Sequence, residues 1–141
     1  MVTLAWVQKL LAAARQARAA AYAPYSGFTV GASVLTKTGR IFPGCNIENA
    51  SFGATVCAER VAIFTAIAAG EQELLAMAVV ADIPTPVVPC GLCRQVLVEF
   101  SPACLIIMGN LIGQVEIRLL SDLFPQPFSG PGLPSFRHPD L

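Results

Sequence analysis

A chain of 141 residues is long enough for one domain with its own core. Nine basic and nine acidic side chains cancel, which argues against a surface built to neutralise a nucleic-acid backbone, and no apolar stretch resembles the roughly 20-residue helix that crosses a bilayer. Only 13% of residues are charged while 55% are apolar, a balance that points to subunits burying surface against one another.

In chain order, Leu4, Val7, Leu11 and Ala14 fall at helical spacing with Lys9, Arg15 and Arg18 off that stripe. They predict a helix over about 3–21, stopped before Pro24. Phe28 to Thr36 reads as a strand, Thr38-Gly39 as a turn, and Arg40 to Gly44 as the return strand of a hairpin. The polar stretch 45–56 is a loop. Residues 57–69 predict a helix with Val61, Phe64 and Ala68 on one face and Gly70 as its stop. The continuous apolar run Leu74 to Ala81 is a buried strand. Three prolines make 83–89 a loop, a short helix over 90–100 ends before Pro102, and 105–108 and 115–120 are two more strands. From Phe124 the chain carries five prolines and is irregular. Strands and helices alternate after the hairpin, so the fold class is α/β.

The chemistry is concentrated in thiols. Cys90 and Cys93 form a Cys-x-x-Cys pair at one predicted helix start, and Cys57 stands at another, followed by Glu59. Backbone N–H groups and the helix dipole favour thiolates at such positions, and Arg60 and Arg94 lie directly beside these cysteines. Three thiolates form a good zinc site with one position open to water, the mark of a catalytic rather than a structural metal. A carboxylate two residues after a ligand reaches that position without being a ligand, so Glu59 fits a proton carrier. Two other readings stay open on spacing alone. One is a redox dithiol, and the other is a structural zinc site completed by Cys57 and Cys45 or Cys104. Lys9, Arg15 and Arg18 break any signal-peptide core, so the expected compartment is the cytoplasm, where thiols stay reduced, and five cysteines, an odd number, argue against a complete disulfide framework. His138, near the end of the tail, is read as solvated.

The text around these residues resembles the cytidine deaminase family, specifically the small homotetrameric nucleoside enzymes. The similarity runs from "YAPYSGFTVGA" (22–32) through "GCNIENASFGATVCAER" (44–60) and "PCGLCRQVLVEF" (89–100) to "LFPQPF" (123–128). Cys57-Ala58-Glu59 followed by Pro89-Cys90-Gly91-Leu92-Cys93 is the three-cysteine form of the zinc-deaminase signature. The resemblance implies a mixed five-stranded sheet with helices on both faces. It implies a single zinc-dependent deaminase domain over 1–128, with 129–141 as its C-terminal tail.

By the same resemblance Cys57, Cys90 and Cys93 hold one Zn²⁺ per chain, and Glu59 carries protons while cytidine or 2′-deoxycytidine becomes the uridine form and ammonia. Ala58, Pro89 and the Cys90 backbone would face the base, Phe28 would pack near the nucleoside, and Asn46 and Glu48 would bind the sugar. Arg60 would offset the extra negative charge of a third thiolate. Phe128 would reach the site of a neighbouring chain in a homotetramer. Two departures stand out: Ser33 where the family strand has alanine, and a tail whose Phe136 competes for the role of Phe128. The implied partner is a free nucleoside in pyrimidine salvage, with no nucleic acid and no membrane. The alternatives are a blasticidin-type deaminase, against which the sugar-reading "NIENAS" argues, a polynucleotide editor, and a non-catalytic zinc-stabilised oligomer, against which Glu59 argues.

Overall fold

The computed structural model describes residues 1–128; the expectations for Phe136, His138 and the tail 129–141 lie outside them. Helix α1 (Leu4–Ala17) starts at Thr3, whose hydroxyl accepts the Trp6 N–H at 3.4 Å. It ends earlier than its periodicity suggests. A 3₁₀ turn, Arg18–Ala20, follows, and Tyr22 then pairs with the chain at 46–48: its N–H donates to the Asn46 carbonyl and its carbonyl accepts the Glu48 N–H. That bridge and Pro24 make extended backbone the better choice there.

Strands β1 (Val30–Thr36) and β2 (Ile41–Cys45) form the expected hairpin, with Gly39 at φ 85° in the turn. Helix α2 (Ala58–Ala68), β3 (Leu74–Ala81), α3 (Gly91–Phe100), β4 (Leu105–Asn110), β5 (Val115–Leu119) and a short α4 (Leu120–Leu123) follow. The sheet order is β2-β1-β3-β4-β5. Only β3 and β4 pair in parallel; the other neighbours are antiparallel, so the five-stranded sheet is mixed.

Helices cover both faces. The alternation of β3 sends Met77, Val79 and Ala81 into one core with Ala62, Ile63 and Leu97, and Ala76, Ala78 and Val80 into another with Val7, Leu10 and Ala14. In α2 the inward residues are Ala62, Ile63 and Ala66, whereas Phe64 and Ala68 are exposed. The helix is apolar nearly all round, so periodicity could not say which side turns inward.

Two glycines set the layer spacing. A Cβ on Gly31 would lie 1.8 Å from the Ala14 carbonyl oxygen, and one on Gly44 would lie 2.4 Å from the Ala62 nitrogen. Ser33, the departure noted above, donates its hydroxyl to the Leu10 carbonyl at 2.7 Å and ties β1 to α1. Among the described residues no helix is long and apolar enough to cross a membrane.

This topology decides where chemistry can happen. A parallel β3–β4 pair needs a crossover, which α3 supplies. Strand β2 runs the same way as β3 because both are antiparallel to β1, so α2 is a crossover too. Both helices therefore begin at the carboxyl ends of these strands, where open α/β sheets place their ligands.

Candidate active site

Cys57 and Cys90 are the residues immediately before α2 and α3, both in extended conformation with φ −68°, and Cys93 is in the first turn of α3. The Cys57 and Cys90 sulfurs are 3.7 Å apart and those of Cys90 and Cys93 3.4 Å apart, and all three lie within 4.8 Å of one another. Sulfurs sharing a tetrahedral zinc at ~2.3 Å bonds would stand about 3.8 Å apart, so the donor set fits that metal. Among the described residues this is the one group of three potential ligands that converges. Cys45 is half-buried and Cys104 buried outside it, and the Cys104 thiol is pushed well up by burial. The structural-zinc reading thereby loses its extra ligands.

Without a metal the Cys57 and Cys93 thiols are driven in opposite directions. Hydrogen bonding from Cys93 and, more weakly, from Arg60 holds Cys57 down to about 5 against the cost of burial. The Cys93 thiol is pushed up by that same bond to Cys57 and by burial. A divalent cation is what lets all three deprotonate together. The Arg60 guanidinium sits 3.6 Å from the Cys57 sulfur through Nη2, and its Nε is buried with no partner among the described residues.

Glu59, in the first turn of α2, is 4% exposed. Burial pushes its carboxyl up to about 7, its own backbone N–H opposes this, the Cys57 charge adds to it and Arg60 opposes it. A carboxyl that takes and gives protons near neutrality is suited to acid–base work. Glu59, Cys57, Cys90, Ala58, Phe28 and Asn46 line one cavity of about 170 Å³, completed by valines and Thr55. It is small against the ~300–1,000 Å³ of ordinary ligand pockets. A larger depression of about 370 Å³, lined by Tyr25, Ser26, Glu48, Phe52 and Thr55, shares Thr55 with it. The two together can hold a flat ring and an attached polar group. A roomier groove of about 460 Å³ between α1, β2 and α2 is lined mainly by alanines, Pro43 and Val61 and brings no acid–base groups together.

The sugar candidates divide. Asn46 is buried and ties the sheet: its Oδ1 accepts the Val30 N–H at 2.9 Å and its Nδ2 donates to the Phe28 carbonyl at 2.7 Å. One N–H and one lone pair remain for a ligand. Glu48 lies outside the small cavity, half-buried in the adjoining depression. Its carboxylate accepts the N–H groups of Tyr25 and Ser26 at 2.9 and 3.1 Å and the Ser26 hydroxyl, leaving about one acceptor position. Pro89 is buried, and Val87 and Val88 rather than Pro89 form the wall beside Cys90. Phe128 is 77% exposed and does not line the cavity of its own chain. Sequence reasoning passed over Val87, Val88, Tyr25, Ser26 and Phe52. The last three lie within the stretches that carried the resemblance, but no spacing rule singles them out.

The model of the cytidine and deoxycytidylate deaminase zinc-binding region matches residues 4–108. The chain belongs to the cytidine deaminase family. A cytidine deaminase of Halalkalibacterium halodurans is 50% identical over 86% of this chain and 93% of its own length. One from Sporosarcina psychrophila is 47% identical over 87% and 91%. The crystal structure of a cytidine deaminase from Burkholderia pseudomallei superposes with a TM-score of 0.83 at 47% identity, covering 86% of this chain and 98% of that one. As a member of this family the chain is a hydrolytic deaminase, and its cysteine cluster lies in the family's zinc-binding region.

Proposed function

We propose that the chain converts cytidine and 2′-deoxycytidine to uridine and 2′-deoxyuridine with release of ammonia. In this reading Cys57, Cys90 and Cys93 hold one zinc per chain and Glu59 moves the protons. The observation that carries it is a buried carboxyl facing the same small cavity as two of three convergent thiols. Zinc bound there would act as a Lewis acid and supply hydroxide from water near neutral pH.

The chain's own groups do the rest. Glu59 accepts the water proton, hydroxide adds to C4 of the pyrimidine, and Glu59 delivers the proton to N3. A second transfer through Glu59 lets the C4 amino group leave as ammonia, so that water and cytidine balance uridine and ammonia. Phe28 and the apolar wall keep the ring in a dry slot, and Ala58 with the backbone near Pro89 and Cys90 borders the base. Asn46 and Glu48 offer their remaining positions to the sugar, and Arg60 balances the thiolates. Exposed apolar residues Phe64, Val88, Leu92 and Phe128 support assembly into a homotetramer in which Phe128 completes a neighbour's site. The free cysteines suit a reduced cytoplasmic setting and a role in pyrimidine salvage.

The test is ammonia release from cytosine, cytidine, 2′-deoxycytidine and blasticidin S by purified protein of known metal content. Turnover of both nucleosides at one zinc per chain is expected. Turnover of blasticidin S alone, or undiminished turnover after complete zinc removal, overturns the reading.

A further inference from the structure

Two side chains that follow Cys93 directly have no part in the chemistry above. Arg94 donates through Nη1 to the Leu123 carbonyl at 2.7 Å, with its guanidinium 5.6 Å from the centre of the Phe124 ring. Gln95 pairs with the backbone of Phe128 on both sides: its Nε2 donates to the Phe128 carbonyl at 2.9 Å and its Oε1 accepts the Phe128 N–H at 3.2 Å. The first two turns of α3 thus grip the segment 123–128 at both ends. The grip at Phe128 is exposed, where hydrogen bonds contribute little to the stability of a chain. It holds the backbone of a residue whose large apolar ring is left 77% exposed. A side chain that orders the backbone and leaves the ring free does its work through where the ring is presented.

We propose that Gln95 is a positioning residue for substrate binding: it fixes the backbone of Phe128 so that the ring meets the base bound on a neighbouring chain. This rests on the reading that Phe128 completes a neighbour's site. Arg94 anchors the other end of the segment, so that Gln95 sets only its last step.

The experiment measures KM and kcat for cytidine, with zinc content, in Gln95→Ala, Gln95→Leu, Phe128→Ala and the two double variants. Leucine keeps much of the bulk of glutamine and loses both hydrogen bonds. Gln95→Ala and Gln95→Leu are each expected to raise KM roughly threefold to tenfold, with kcat within about twofold of the parent and zinc unchanged. Neither should add anything in the Phe128→Ala background, because residues acting through one contact are not additive. Parental KM in Gln95→Leu beside an impaired Phe128→Ala overturns the role of Gln95 and leaves that of Phe128 standing. Parental kinetics in Phe128→Ala overturn the reading of Phe128, and this proposal with it. Zinc loss in the Gln95 variants, or an equal KM rise with and without Phe128, assigns Gln95 to the metal helix and overturns the proposal.

Discussion

Arg60 reaches to within 3.6 Å of the Cys57 sulfur, and three thiolates around a divalent cation would carry one negative charge more than the metal cancels. Removing the guanidinium should weaken the site without removing a ligand. Arg60→Gln is expected to lower zinc affinity or turnover by roughly 10–100-fold, the usual cost of losing a group that orients and balances metal ligands. Chelator competition and steady-state rates check this, and parental values in both would reduce Arg60 to a surface charge. Cys57→Ser should lose zinc and activity together, whereas Cys104→Ser, outside the cluster, should keep its zinc. Glu48 supports a pH prediction. The Ser26 hydroxyl, aided by the N–H groups of Ser26 and Tyr25, holds its carboxyl below its ordinary value of 4.5. A lowered folded value means that the contact is complete above the ordinary range and is lost only as the pH falls through the lower one. Amide exchange should find Tyr25 and Ser26 protected at pH 5, and loss of protection above pH 4.5 would contradict it. The convergence of Cys57, Cys90 and Cys93 beside Glu59 was legible because each motif is a short-range pattern at a helix start. Val87 and Val88 were not, since they reach the cavity only through the path of the 82–90 loop, held to β4 by the Val87 N–H on the Gly109 carbonyl.

Elements position those residues through close backbone contacts. Gly44 lets β2 approach the first turns of α2, where a Cβ would meet the Ala62 nitrogen at 2.4 Å and the Ala58 carbonyl oxygen at 2.6 Å. Neither neighbour is a side chain that can swing away. Gly44→Ala must therefore push back the helix start that carries Cys57 and Glu59. A loss of at least ~1–3 kcal/mol of stability is expected, together with impaired activity in whatever remains folded. Gly53, with open space around it, serves as the control, and Gly53→Ala should melt close to the parent. Thermal melts decide between them; equal Tm values would mean that α2 does not depend on this contact. The strand pattern was legible almost to the residue in β3, because a run of apolar residues buried on both faces has one reading. The inward side of α2 was not, because alanines on one side and Val61 and Phe64 on the other are similar in hydropathy. Only packing against Gly44 and β1 distinguishes them. The end of α1 at Ala17 was missed for a related reason: the competing bridge at Tyr22 depends on residues 46–48, far along the chain.

At the scale of the whole molecule, the 55% apolar composition finds an outlet in side chains such as Phe64, Leu92 and Phe128 that one chain leaves exposed. If Phe128 acts on a neighbour, chains carrying Glu59→Ala and chains carrying Phe128→Ala should complement each other. In a mixed assembly, a Phe128→Ala chain keeps its own Glu59 and borrows the ring beside it. Co-assembled chains should exceed the sum of the two parents, and light scattering should give a mass of four chains. Activity no greater than that sum would place Phe128 in its own chain's site. Composition says only that this apolar surface favours cover, not which copy supplies it. The central claim, that Glu59 moves protons and does not hold the metal, is tested most directly by the turnover of cytidine in zinc-loaded Glu59→Gln. That variant keeps the shape of the side chain but cannot carry a proton. The expected result is a full complement of zinc, retained nucleoside binding and a rate lower by at least roughly 10²–10⁴-fold, the share that general acid–base catalysis supplies. Turnover close to that of the parent would contradict it.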